Sequence, residues 1–258
     1  SVAEIHEIIN EAQRLWEPVG PVSGPKRAVR MDRAGAPIVD EGKYISEFVE
    51  QSQVLTRIVN NRLRQSVELL IGSDFLWAGS EGNYTSDLVN NAHRWHNDRP
   101  AETESELAFT RLKINIYLDP VTKETGALRV LPGSHRPTFH LGLAPLEQIH
   151  HEKGDQDPFA TPYGVPGTEI PFHSFESNPG DVVFFNQSLF HAVFNGFPGR
   201  RYIAVKYSAM PKTEEHFNLL KKTRGFNFRP HRLFSSSENP DIRAMADRML
   251  EAGSRIGI

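Results

Sequence analysis

Apolar residues recur at helical spacing in the first third of the chain. Residues 3–16 and roughly 44–71 carry them every three to four positions, as Ile58, Leu63 and Val67 illustrate, and Gly72 is placed to end the second stretch. From residue 75 onward the pattern changes to short runs of aromatic and β-branched residues separated by glycine and proline. Such punctuation is typical of sandwiches and barrels, so we expect a mainly β protein with flanking helices.

Turn residues divide the chain further. Pro132-Gly133 and Pro179-Gly180 each place proline before glycine, as type II turns require. Residues 136–170 are rich in proline and show little periodicity, which predicts a lid-like insertion. Beyond residue 211 helical spacing returns, and Asn239 is placed to cap a helix starting at Pro240. We predict one domain over 1–258, with a mainly helical part at 1–72, a β core at 73–210 and a helical part at 211–258.

Composition limits the classes of function. The 258 residues include 29 basic and 32 acidic side chains, a net charge of −3, and 38% are hydrophobic. This balance does not favour a nucleic acid or a membrane surface as partner, so we expect a small-molecule substrate. The absence of cysteine excludes disulfides and thiolate ligands. The charged N-terminus and the absence of a long apolar window predict a cytoplasmic protein. Oligomeric state is left open.

Two H-x-acid tripeptides occur, and only one has a strand-like context. His96 and Asp98 follow a segment with aromatic residues, and the two-residue period of a strand would point both side chains to one face, as two ligands of one metal ion require. A solvated turn is the alternative, because Asn, Asp, Arg and Pro are common in loops. His150 and Glu152 lie in the proline-rich insertion, where nothing predicts a rigid geometry, so we do not expect them to bind metal.

A later strand supplies a third candidate ligand. His191 lies between the apolar Leu189 and Val193, so it would face inward, and a core histidine is the alternative to a ligand. After a hairpin come Arg200 and Arg201, one of which must point inward and find an anionic partner, such as a carboxylate of a dicarboxylate cosubstrate. Two histidines and one carboxylate leave three positions open on an octahedral iron(II), and this predicts an oxygenase.

Strict alternation marks residues 110–118. One face carries Arg111, Lys113, Asn115 and Tyr117, whereas the other carries leucine and isoleucine. Two interpretations remain open at this point. Either the polar face lies on solvent in an edge strand, or Lys113 and Asn115 line the cosubstrate pocket.

Several motifs occur in the order of a known family: HND (96–98), TGALRVLPGSHRP (125–137), PGDVVFFN (179–186), His191 and RRYIAVKY (200–207). Over about residues 85–210 the chain thus resembles the phytanoyl-CoA dioxygenase-like iron(II)/2-oxoglutarate oxygenases. H-x-D is a common tripeptide, but G-A-L-x-V-L-P-G-S-H combined with the late histidine and arginine is fairly specific. The resemblance implies a double-stranded β-helix (a cupin-like jelly roll) with flanking helices.

The resemblance also implies a ligand set and a reaction. His96, Asp98 and His191 would bind iron(II), and Arg200 would hold the far carboxylate of 2-oxoglutarate, with Arg201 as competitor because the hairpin is short. Dioxygen would be consumed, 2-oxoglutarate decarboxylated to succinate and a small metabolite hydroxylated, with ascorbate as a candidate stimulant. Related halogenases replace the carboxylate ligand by a small residue, so Asp98 favours hydroxylation.

Two other classes of function remain as alternatives. One is a cupin-like metal-dependent enzyme that uses no 2-oxoglutarate, and the other is a catalytically silent β-roll that binds a small ligand. Candidates for the substrate pocket are Arg94, Arg99, Arg129, His135 and Tyr84, and candidates for orienting the histidine rings are Asn186 and Gln187.

Overall fold

The computed structural model describes residues 1–17, 43–85, 93–99, 101–146, 161–197, 199–222, 228–255 and 257. Within these residues the chain forms nine strands. They are β1 (Lys43–Ser46), β2 (Leu76–Tyr84), β3 (His93–His96), β4 (Arg111–Tyr117), β5 (Leu128–Val130), β6 (His173–Phe175), β7 (Val182–Asn186), β8 (His191–Val193) and β9 (Arg201–Ser208).

The helices of the described residues lie mainly at the two ends of the chain. They are α1 (Val2–Trp16), α2 (Gln53–Ile71), α3 (Glu104–Ala108), α4 (Pro137–Gly142), α5 (Glu214–Lys222), α6 (Arg232–Ser235) and α7 (Pro240–Arg255), with 3-10 turns at Val49–Gln51 and Gly167–Glu169. Caps agree with the sequence: α2 ends at Gly72, whose φ is 93°, and the Asn239 side chain accepts a hydrogen bond from the backbone N–H of Asp241 at the start of α7. None of the described helices combines the length and the apolar character needed to cross a bilayer.

The strands form two antiparallel sheets. The larger sheet has the order β1-β2-β9-β4-β7, and the smaller has the order β3-β8-β5-β6. A core cluster joins residues of both sheets, with Tyr117 and Phe185 from the larger sheet and Leu128 and Val193 from the smaller. The two sheets therefore face each other, and the predicted mainly β jelly roll with flanking helices is confirmed.

The outer face of the larger sheet carries most of the helical packing. Apolar residues of β4 and β9, such as Ile114 and Val205, share one core cluster with residues of α1, α2 and α7, including Trp16, Leu55 and Met245. The alternation seen in the sequence explains this division, because every second side chain of β4 points to the helices and the others point between the sheets. Strand β4 pairs with β9 on one side and with β7 on the other, so the interpretation as a solvent-facing edge strand was wrong.

Four other expectations have different outcomes. Both Pro-Gly turns form with positive φ at glycine, 81° at Gly133 and 92° at Gly180. Residues 43–46 form strand β1 where helical spacing was expected, because four residues are too few for periodicity to separate a strand from a helix turn. The proposed lid at 136–170 is described only at its ends, since 147–160 lie outside the described residues. The division of the chain into one domain with three parts stays a prediction.

Candidate metal centre

His96 and His191 are cross-strand neighbours in the smaller sheet. His96 is the last residue of β3 and His191 the first of β8, and the two are antiparallel partners. Their ring centroids are 4.3 Å apart. Asp98 follows β3 by two residues, and its backbone N–H donates a hydrogen bond of 2.9 Å to the carbonyl oxygen of Gln187, just before β8. Backbone pairing therefore brings together residues that are far apart in the sequence.

The three side chains form a compact donor set. One Asp98 carboxylate oxygen lies 4.0 Å from Nε2 of His96, and the other lies 3.8 Å from Nε2 of His191. One ligating atom from each residue lies within 4.8 Å of the other two, and within the described residues this is the one group of three such side chains. Two imidazoles and one carboxylate at this spacing fit a non-haem iron(II), with further positions left for other ligands. His150 and Glu152 lie outside the described residues.

Backbone carbonyls orient both imidazole rings. Nδ1 of His96 lies 2.5 Å from the carbonyl oxygen of Arg94, and Nδ1 of His191 lies 2.8 Å from that of Leu189. In each case the acceptor belongs to the residue two positions earlier, so each Nδ1 carries the proton and Nε2 keeps a lone pair for a metal.

Asn186 and Gln187, the candidates for orienting the rings, have other partners. The Asn186 side chain accepts a hydrogen bond from the backbone of Ser188, and the Gln187 side chain donates one to the carbonyl oxygen of Leu112. Gln187 still contributes to the site through its own carbonyl oxygen, which holds the backbone of Asp98.

The Lys113 ammonium dominates the electrostatics of the triad. Its Nζ lies 3.0 Å from an Asp98 carboxylate oxygen, and both groups are largely buried. Burial alone would raise the pKa of Asp98, but Lys113 and the two imidazoles hold that pKa well below its usual range. Burial, reinforced by His96, lowers the pKa of His191 to about 3. Asp98 is therefore a carboxylate and His191 a neutral imidazole at neutral pH, the forms in which both bind metals.

The two neighbouring arginines have opposite environments. Arg200 is 2% exposed, donates a hydrogen bond of 2.7 Å from Nη1 to the carbonyl oxygen of Gly126, and stacks on Tyr202 at 5.0 Å. Its buried Nε has no partner among the described residues. Arg201 instead forms a bidentate ion pair with Asp119, at 2.7 and 3.1 Å. Arg200 thus has donors left for an anion inside the jelly roll, whereas Arg201 is engaged elsewhere.

Polar residues of β4 connect the triad with Arg200. Lys113, Asn115 and Tyr117 point between the sheets, and Asn115 pairs across with the small Ala204. The Asn115 side chain is hydrogen-bonded to Tyr117, while its Oδ1 has no partner among the described residues. Arg200 lies close enough to influence the Tyr117 hydroxyl. Polar side chains therefore extend along β4 from the triad toward Arg200, and their hydrogen-bond donors suit a small dicarboxylate.

The candidates for the substrate pocket separate into two groups. Arg129 donates to backbone carbonyls of Thr168 and Lys123 and stacks on aromatic rings, and Tyr84 packs against Trp16 under the helices. Neither of them faces the triad. Arg94 precedes His96 by two residues, and Arg99 directly follows Asp98. His135 is half-buried in the loop before α4. Burial lowers the pKa of His135, and the charge of the nearby Arg136 lowers it further.

Three charged residues of the interior were not identified as candidates from the sequence. Arg111 is 4% exposed on the polar face of β4, a position that the alternation did indicate. Lys206 of β9 is the cross-strand partner of Lys113 and forms an ion pair with Glu81 of β2. No sequence signal points to this pair, because Glu81 lies in β2, which no motif marks.

Comparisons with known proteins identify similar sequences and similar folds. The sequence model described as Phytanoyl-CoA dioxygenase (PhyH) matches residues 55–195, more than half of the chain. Among curated proteins, the chain is 26% identical over 187 residues to an ectoine dioxygenase of Sphingopyxis alaskensis. That match covers 64% of this chain and 61% of the relative, so the chain spans less than two thirds of the relative's length.

Solved structures share the fold at low identity. HygX from Streptomyces hygroscopicus, with nickel and 2-oxoglutarate bound, superposes with a TM-score of 0.57 at 18% identity, over 83% of this chain and 81% of that one. EctD from S. alaskensis with bound Fe gives 0.53 at 19% identity, over 81% and 70%. The epimerase SnoN, in complex with Fe3+, alpha ketoglutarate and nogalamycin RO, gives 0.54 at 20% identity, over 81% and 76%. One fold therefore accommodates more than one reaction type.

Proposed function

The chain belongs to the phytanoyl-CoA dioxygenase family, and from this membership we propose that it is an iron(II)/2-oxoglutarate-dependent oxygenase that hydroxylates a small molecule. The observation that carries the proposal is the arrangement of His96, Asp98 and His191 on adjoining backbone, with one ligating atom of each within 4.8 Å of the others. Structures of this fold that contain iron or nickel together with 2-oxoglutarate support it.

The triad residues have separate roles in this proposal. His96 and His191 hold iron through Nε2, since each Nδ1 is engaged by a backbone carbonyl. Asp98 supplies the anionic ligand, and the depressed pKa keeps it ionised. When bound, iron and 2-oxoglutarate together activate dioxygen: one oxygen atom enters the substrate as hydroxyl and the other enters succinate, with release of carbon dioxide.

Arg200 is the proposed anchor of the cosubstrate. Its guanidinium is buried, has Nε without a partner among the described residues, and offers the planar fork that suits a carboxylate. Asn115 and Lys113 complete the proposed contacts along β4. Lys113 also neutralises Asp98, so its ammonium lies where it can attract the dianionic cosubstrate toward the triad.

Hydroxylation is the proposed outcome because Asp98 is present as a carboxylate ligand. In the related halogenases a small residue at this position leaves room for a halide on iron. A carboxylate 3.8 and 4.0 Å from the two imidazole nitrogens occupies that position here. Fold similarity to an epimerase makes the reaction type a separate question for experiment.

Two measurements test the proposal. Anaerobic chain loaded with iron(II) should develop a visible charge-transfer absorption when 2-oxoglutarate is added. In air with ascorbate, a metabolite library should then reveal a compound that stimulates succinate formation. Asp98→Ala should lose both signals, whereas Asp247→Ala, which removes an exposed carboxylate of α7, should keep them.

The outcomes separate the alternatives. Iron binding without binding or consumption of 2-oxoglutarate would reject the cosubstrate and favour a cupin-like enzyme of another type. A chain that binds no iron at all would favour a catalytically silent β-roll. Turnover by Asp98→Ala at the wild-type rate would exclude the triad.

A further inference from the structure

Two arginines lie side by side next to the triad. Arg99 directly follows Asp98 and is half-buried, and Arg111 is 4% exposed on β4, two residues before Lys113 and on the same face. Nη2 of Arg111 lies 3.5 Å from the carbonyl oxygen of Arg99, and Nη1 of Arg99 donates to that of Asp98 at 3.2 Å. Both arginines therefore lie near Asp98, at the start of β4.

Neither arginine forms an ion pair in the part of the chain that the structure describes. Arg111 has a buried Nε without a partner among these residues, and Glu106, the carboxylate that attracts it, forms no ion pair with it. Burial, reinforced by the nearby charge of Arg99, lowers the pKa of Arg111 to about 10. A buried guanidinium group without an ion-pair partner, such as that of Arg111, is costly and is seldom kept without an anionic partner.

Two lysines on this face have carboxylate partners. Lys113 pairs with Asp98, and Lys206 pairs with Glu81. Among the described residues these four charges balance, whereas Arg99 and Arg111 add two positive charges without an ion pair. Iron(II) and dianionic 2-oxoglutarate would cancel each other, so these two charges would persist in the loaded site. An anionic group on the substrate would balance them.

This excess charge is distinct from the proposed cosubstrate anchor. Arg200 lies close to Tyr117 at the opposite end of β4. Arg111 and Tyr117 are six residues apart, which is about 20 Å along a strand. A molecule as short as 2-oxoglutarate cannot contact both ends, so the anion near Arg111 is a different molecule.

We propose that Arg99 and Arg111 form an oxyanion subsite that receives a carboxylate or phosphate group of the substrate beside the metal triad. The inference rests on the proposed function, because it places the substrate at the site where that function would oxidise it. Each guanidinium group offers a planar fork of N–H donors that suits such a group. Because Arg99 adjoins Asp98, the oxidised carbon would lie within a few bonds of the acidic group.

Anion binding tests the subsite without turnover. The full chain is loaded with nickel(II) and saturating 2-oxoglutarate, so that Arg200 is occupied, and titrated calorimetrically with inorganic phosphate or with acetate at constant ionic strength. Loss of a charge-assisted contact should weaken binding about tenfold or more in Arg111→Gln and in Arg99→Gln. Arg111→Lys should recover part of the affinity. Arg57→Gln removes an exposed charge paired with Glu7 and should bind as wild type does.

Each outcome decides the proposal. Weaker binding in both glutamine variants supports the subsite, and the preference of the wild type for phosphate or for acetate then identifies the acidic group. Wild-type affinity in both glutamine variants, or no binding of either anion to the wild type, overturns it. If circular dichroism shows that Arg111→Gln is unfolded, the half-buried Arg99→Gln decides. The charge-transfer absorption reports the proposed function separately: its absence rejects that function, while the phosphate titration still decides whether the two arginines bind an oxyanion.

Discussion

Arg200 and Arg201 are adjacent in sequence, yet their environments predict opposite consequences of the same substitution. Arg200→Gln removes a buried guanidinium whose Nε has no partner among the described residues, and Arg201→Gln removes one that is paired with Asp119. If Arg200 anchors 2-oxoglutarate, the first change should weaken cosubstrate binding and the second should weaken only the fold. The pair therefore forms a matched experiment.

The structure sets the size of each effect. A guanidinium that holds a carboxylate through two charge-assisted hydrogen bonds contributes about 2–4 kcal/mol, so Arg200→Gln should raise the Kd for 2-oxoglutarate by about 30- to 700-fold. The Arg201–Asp119 pair is partly exposed, with side-chain exposures of 23% and 16%. Its loss should cost about 1 kcal/mol of unfolding free energy, or about 2–4 °C in Tm.

Binding is measured through the anaerobic charge-transfer absorption of the iron(II) complex during titration with 2-oxoglutarate, and stability through thermal unfolding followed by circular dichroism. Both variants are measured at the same pH and metal loading as the wild type. Equal Kd values for Arg200→Gln and the wild type, together with a weakened Arg201→Gln, would refute the reasoning and make Arg201 the anchor.

Three more predictions give separate tests. Lys113→Met removes an ammonium that repels a metal ion and attracts the 2-oxoglutarate dianion. The variant should therefore bind a divalent cation about tenfold more tightly and 2-oxoglutarate about tenfold more weakly. Weaker nickel binding in a competition titration would contradict this. Gly126→Ala should lose about 2 kcal/mol in urea unfolding, since φ is +93° and an added Cβ would lie 2.7 Å from the facing backbone. Gly133→Ala, with positive φ and open space, should lose less. Burial raises the pKa of Glu50, so the wild type should lose stability as pH rises above about 4.5, the ordinary pKa of a glutamate. In urea unfolding, the stability of Glu50→Gln relative to the wild type should therefore increase over that range. A stability difference that does not change with pH would contradict this prediction.

Much of the fold could be predicted because alternation and turns are local properties. The two-residue period of β4 gave one face to Ile114 and the other to Lys113, and the Pro-Gly pairs at 132–133 and 179–180 form the turns expected of them. Alternation does not state what lies beyond a polar face, however. A strand exposed to water and a strand facing a buried charged site have the same pattern, and only the packing of the smaller sheet over this face of β4 separates them.

The candidate triad was predictable for a different reason. His96, Asp98 and His191 occur in motifs whose order resembles a family, and antiparallel pairing of β3 with β8 brings them together. The groups that orient and balance them were not predictable. The acceptors for the rings are backbone carbonyls, which every residue has, and the partners Glu81 and Asp119 come from segments far away in sequence that carry no motif.

The two faces of the larger sheet separate stability from chemistry. On the outer face, buried apolar side chains of β4 and β9 pack against α1, α2 and α7, and burial of this area supplies the main favourable free energy of folding. On the inner face the same strands carry Arg111 and Lys113, whose desolvation opposes folding. Replacing Arg111 by an apolar residue of similar volume should therefore cost little stability or even increase it. The apolar packing on the outer face offsets the cost of the buried cations.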